Sequence, residues 1–176
     1  VRTRAVGGGK CPFCSKIETV RRNEQRHKEV QRIREIKKIL PRAAVIYYLR
    51  QITDDIRQDD DSVMGASLDI HAPELGIAFE VEDVRDTKST LKNESIVKSS
   101  LCRRNNIVLI KLQDEGSESF EDCICVTCDR QNAKSLDMAL KEVFRMLRLD
   151  VDVDILRDLK MIVDSYETEG GKNWQG

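Results

Sequence analysis

Aromatic residues are scarce in this chain of 176 residues, at 5%, and prolines number only three. A core with so few rings must rest on Ile, Leu and Val. Net charge is also missing. Thirty Lys and Arg stand against 31 Asp and Glu, leaving −1. A strongly basic balance would have argued for nucleic acid, and it is absent. No apolar run reaches the roughly 20 residues that a membrane-spanning helix needs. No stretch reads as a signal peptide. The chain starts with Val1 in place of Met, so a piece of a longer protein is expected.

What remains is ample for a globular fold. Hydrophobic residues make up 40% of the chain, enough for one domain with an appendage. The charges are unevenly spread. Residues 1–50 are rich in Arg and Lys, whereas 53–61 and 113–122 are acidic. Six cysteines occur, at 11, 14, 102, 123, 125 and 128. Cys11-Pro-Phe-Cys14 has the form of a zinc knuckle, a tight turn that aims two thiolates at one tetrahedral ion. Cys125-Val-Thr-Cys128 has the same spacing without the turn residue. The two pairs together would make a four-thiolate Zn²⁺ site. A packed strand or loop explains Cys123 and the second pair equally well. Cys102 reads as a buried helix cysteine.

Apolar spacing predicts a helix over 20–40, through Val30, Ile33, Ile36 and Leu40, ended by Pro41. Strands are expected at 44–49, 66–71, 76–82 and 107–112, and an acidic loop at 53–65. A helix over 87–104 should face inward with Leu91, Ile96 or Val97, and Leu101. Residues 113–131 read as an acidic, Cys-containing excursion. Leu136, Leu140, Val143 and Leu147 mark another helix, and a shorter one covers 152–166. The organisation expected is a knuckle segment at 1–20, a main domain at 21–150, and a C-terminal helix with polar tail at 151–176.

The chemistry concentrates in residues 69–82. Asp69 ends one strand, Pro73-Glu74-Leu75-Gly76 turns the chain, and Ile77-Ala78-Phe79 leads into Glu80-Val81-Glu82. A hairpin brings Asp69 toward Glu80, and alternation puts Glu80 and Glu82 on one face. Carboxylates gathered in this way suit a hard divalent cation such as Mg²⁺, which commonly serves phosphate chemistry. The plainer alternative is the solvated face of an ordinary edge hairpin.

The order α-β-β-β-α-β-α and the Asp–hairpin–Glu-x-Glu pattern resemble the restriction-endonuclease-like PD-(D/E)XK superfamily. The nearest resemblance is to its very-short-patch repair and phage homing branch, over roughly 24–112. The resemblance implies an α/β fold with a mixed sheet and helices on both faces. It also implies a metal-dependent DNA endonuclease using Mg²⁺ or Mn²⁺, cytoplasmic, bacterial or phage-encoded. DNA is the implied partner, with a homodimer left open and no membrane. Asp69 and Glu80 would bind the metal, helped by the Val81 carbonyl. Glu82 stands where the superfamily usually has its lysine. Lys98 on the following helix would supply the missing cation, with Lys88 and Lys92 as substitutes. Glu24 matches a first-helix Glu that often faces the site, and a surface Glu is its plainer reading. His71 is a candidate base or ligand, and His27 reads as solvent-facing. The segment Arg2-Thr-Arg4 to Lys10, with Cys11 and Cys14, resembles half of a treble-clef zinc ribbon. Its remaining zinc ligands would then lie upstream. Arg2, Arg4, Lys10, Arg21 and Arg22 would meet DNA phosphates. A module of nuclease descent that binds DNA or protein without cutting is the alternative, favoured by the absent lysine and the balanced charge.

Overall fold

A computed structural model describes residues 12–63, 66–81, 88–117, 119 and 122–169. The chain divides into two units, 1–36 and 37–176. Helix α1 (Pro12–Leu49) begins in the first unit and ends in the second. Residues 16–35 of α1 are exposed all round. This stretch is mostly charged and polar, with Ile17, Val20, Val30 and Ile33 exposed among Glu18/Arg22 and Glu24/Lys28 at the supporting four-residue spacing.

The part of α1 in the second unit corrects the sequence reading. The helix does not stop at Pro41, and 44–49 is not a strand. Leu40, Ala43, Ala44, Val45, Ile46, Tyr48 and Leu49 are all buried. A segment buried on all sides carries no helical period, so its apolar run is easily taken for a strand. A proline inside a helix costs about 3 kcal/mol. Each fully buried Leu, Ile or Val returns about 1.5–3 kcal/mol, so the burial here outweighs the proline.

Five strands form one mixed sheet in the order β1 (Arg57–Val63), β2 (Ala66–Ala72), β3 (Ile77–Val81), β4 (Val108–Gln113), β5 (Ile124–Thr127). β1, β2 and β3 pair antiparallel, while β3, β4 and β5 pair parallel. Helix α2 (Lys88–Arg104) crosses from β3 to β4, the usual route to a parallel neighbour. Helices α3 (Ala133–Met146) and α4 (Ile155–Glu169) follow β5. The mixed α/β class agrees with the sequence reading, but the order is α-β-β-β-α-β-β-α-α. Its first strand lies in the expected acidic loop at 53–65, and β5 lies in the expected excursion at 113–131. β1 carries no apolar alternation, and β5 is only four residues long, with Ile124 and Val126 alone directed to the large core. Arg57-Gln-Asp-Asp-Asp-Ser-Val is built of residues depleted in strands, with Asp59 at φ 49°. No helix among the described residues is long and apolar enough to cross a membrane.

The two faces of the sheet differ in kind. On one, Ile70, Ile77, Phe79, Ile110 and Leu112 pack against the end of α1 and against Leu136, Leu140, Val143 and Phe144 of α3. Ile155 and Ile162 of α4 complete this core. The Tyr48 hydroxyl donates to Asp158 Oδ2 at 3.1 Å and accepts from the Asp154 amide at 3.0 Å, tying α1 to α4. The other face has a small cluster of Val63, Leu68, Ala78, Cys102 and Leu109. α2 covers that face with Ser99 and Cys102, both buried, whereas Ile96 and Val97 are exposed. The inward residues expected on α2 are thereby corrected. Leu101 is half-buried, and the side chain of Leu91 lies outside the described residues.

Candidate active site

The site forms where β2 and β3 part. Backbone register runs Ala72↔Ile77, His71↔Ala78, Ile70↔Phe79. The reversal uses a 3-10 turn, Pro73–Leu75, closed by Gly76 at φ 63°, a conformation that favours glycine. One residue beyond Ile70 and Phe79, side chains bridge the strands. The Asp69 amide donates to Glu80 Oε1 at 3.2 Å, and the Val81 amide donates to Asp69 Oδ2 at 2.8 Å. The two carboxylates are therefore fixed by the backbone of each other's strand.

Lys98 reaches them from α2, its Nζ donating to Glu80 Oε2 at 2.7 Å. The pair is largely enclosed, with Lys98 22% and Glu80 15% exposed. Burial, and next the nearby Asp69 carboxylate, raise the proton affinity of Glu80, while Lys98 works in the opposite direction. Cys102 lies further along α2. Burial first, then the Glu80 charge, push its thiol up to about 11, so it stays a neutral thiol.

Two residues that sequence reasoning passed over also belong here. Lys111 stands in register with Glu80 on the neighbouring strand and is buried. Its Nζ donates to Ser95 Oγ on α2 at 3.2 Å. The available signal was a lysine inside an otherwise apolar strand, since buried lysines need polar company. Arg42, near the end of α1, donates to the Asp69 carbonyl oxygen at 2.9 Å and pairs with Asp59 at 2.8 Å. It anchors the strand that carries Asp69, and nothing in its sequence context marked it.

The other expected residues fall elsewhere. His71 is bound to β1, its Nδ1 2.5 Å from Asp60 Oδ2, with both side chains buried. Burial opposes the Asp60 charge, but hydrogen bonds from His71 and Ser62 prevail and hold its carboxyl down at about 2. Glu24, His27, Arg21 and Arg22 are exposed on α1, in the first unit. Glu82, Cys11, Arg2, Arg4 and Lys10 lie outside the described residues, as do the side chains of Cys14, Lys88 and Lys92. Cys125 lies against Cys123, with sulfurs 3.4 Å apart. Cys128 is buried in the apolar core on the opposite side of the sheet from Ala78 and Leu109. Among the described residues, no group of three or more His, Cys, Asp or Glu side chains gathers around a common point.

No family model, no curated protein and no solved structure matches the chain. The chemistry must therefore be argued from the side chains. Asp69 and Glu80 offer hard, anionic oxygens side by side, next to the polypeptide carbonyls of a strand end. Mg²⁺ is commonly held by one or two carboxylates, with waters and substrate phosphates filling its other positions. The donor set fits that ion. Thiolates, which suit zinc, are not part of it.

Proposed function

We propose that the chain is a metal-dependent DNA endonuclease of the restriction-endonuclease-like type, hydrolysing phosphodiester bonds. One observation carries this reading: at a strand fork Glu80 accepts from the Asp69 amide and from the Lys98 ammonium group, so one carboxylate is tied to both. An acid pair beside an ammonium group is one set able to serve metal-assisted phosphodiester hydrolysis. Asp69 and Glu80 would hold Mg²⁺ or Mn²⁺, which when bound supplies a water of lowered pKa and neutralises phosphate charge. Lys98, which gives one N–H to Glu80, has further donors that would orient the attacking water and balance charge on the scissile phosphate. In this reading it performs the task that Glu82, in the superfamily's lysine position, cannot. Lys111 adds a second positive charge behind Glu80. Arg42 keeps Asp69 in place through its carbonyl. Basic residues of the N-terminal third, including the exposed Arg21 and Arg22, would meet the DNA backbone, and that affinity should fall steeply with salt.

The test is cleavage of supercoiled plasmid with Mg²⁺ or Mn²⁺, by wild type and by Asp69→Ala. Wild type should cut, and the variant should lose about 10³-fold in rate. A wild type that binds DNA but never cuts under either metal would leave a binding module of nuclease descent as the better reading.

A further inference from the structure

Cys123 and Cys125 take no part in the proposed hydrolysis, yet their arrangement is chemically pointed. Their sulfurs are 3.4 Å apart. Cys125 lies within β5 and Cys123 in the bend that leads into it, and the sulfur contact brings the two side chains together at the start of the strand. β5 is the last strand in the sheet order and pairs with β4 alone. A small shift of this strand end therefore disturbs one ladder only. Both thiols are half-buried and within reach of small solutes, whereas Cys102 and Cys128 are buried, at 0% and 4% exposure.

We propose that Cys123 and Cys125 form a redox modification site, closing to a reversible intramolecular disulfide when a peroxide oxidant is present. A disulfide needs sulfurs at about 2.05 Å, so rotation about the side-chain bonds must close roughly 1.4 Å. A bond that closes only by pulling on the start of a strand is strained, and a strained disulfide is readily reduced again.

The chemistry balances with hydrogen peroxide as oxidant. One thiolate attacks a peroxide oxygen, the O–O bond breaks, and a sulfenic acid forms as hydroxide leaves. The second thiolate attacks that sulfur, the S–S bond forms, and the S–O bond breaks. The two thiol protons end on two waters, and two electrons pass from the sulfurs to the peroxide. Cys125 is in register with Lys111, which is in register with Glu80. The dithiol thus ends a row of side chains that begins at the acid pair. The proposal itself does not depend on the nuclease reading.

The experiment treats the full chain with hydrogen peroxide, then denatures it, alkylates free thiols and sequences the peptides by fragmentation mass spectrometry. Cys123 and Cys125 should appear joined, with the loss of two hydrogens, and should alkylate again after dithiothreitol. Cys128 in the same region should remain alkylated throughout. The Cys125→Ser variant should leave Cys123 as a sulfenic acid that dimedone traps. Free alkylation of both cysteines after peroxide, separate sulfinic acids, or pairing of either one with another cysteine would overturn the proposal.

Discussion

The two faces of the sheet are made from alternate residues of the same strands, yet they do opposite things. Phe79 is fully buried against the helices of the large core, and its chain neighbour Glu80 points to the face beneath α2. Ile110 and Leu112 belong to the large core, while Lys111 between them and Gln113 after them are buried polar residues. One face gains stability from apolar contact. The other uses enclosed space to hold charge, which costs stability unless each charge is partnered. The division shows how a small sheet can support a reactive site. Strand alternation places rigid packing directly behind every reactive group.

Exchanging adjacent residues breaks the comparison most sharply. Glu80→Gln should reduce plasmid cleavage by about 10³-fold and cost less stability than Phe79→Ala, because Gln keeps the side-chain volume and relieves repulsion from Asp69 while it weakens the bond to Lys98. Phe79→Ala should lower stability by about 3–5 kcal/mol, while the fraction that remains folded still cuts. Urea unfolding and rate measurements on the same samples separate the two effects. Equal losses of stability from both substitutions would show that the faces are not divided in this way.

A smaller effect is expected at Lys98. Lys98→Ala should slow cleavage by about 10²-fold with metal and DNA affinity nearly unchanged. Lys98→Arg should rescue poorly, because a planar guanidinium cannot reproduce a compact ammonium group. Wild-type rates from Lys98→Ala would pass the role to Lys111 or to another lysine.

The smallest effect concerns pH. His71 and Ser62 hold the Asp60 carboxyl at about 2, below its value in the unfolded chain. The stability from this pairing is complete above the unfolded value near 4, and is lost as pH falls toward about 2. Urea unfolding of wild type between pH 5 and pH 2 (about the range that titrates) should show a loss of roughly 1 kcal/mol that Asp60→Asn lacks. Parallel curves for the two proteins would remove Asp60 from the account.

How far the sequence foretold this fold depends on the face. Leu136, Leu140 and Val143 follow helical spacing and are buried as expected, because α3 packs on the apolar face. The hairpin was legible from Pro73 to Gly76, and with it the approach of Asp69 to Glu80. On α2 the same reasoning failed. Ile96 or Val97 is expected inward from the spacing, but a helix that covers charged groups turns Ser95, Lys98 and Ser99 toward the sheet. Lys98 could be named because the carboxylates create a demand for a cation, not because of any periodicity. Arg42 was invisible, since its partner is a backbone carbonyl and carbonyls leave no mark in sequence. β1 was hidden by its aspartates, and the end of α1 by its uniform burial.

The bridge between the strands at the fork also makes an unusual reporter. The Val81 amide is held by the carboxylate of Asp69 instead of by a neighbouring strand. Its rate of hydrogen–deuterium exchange should therefore follow the chemistry of one side chain, while the amides of the regular ladder follow opening of the sheet. Any ligand that draws Asp69 away would announce itself as faster exchange at this single position, with no substrate added and no bond cut.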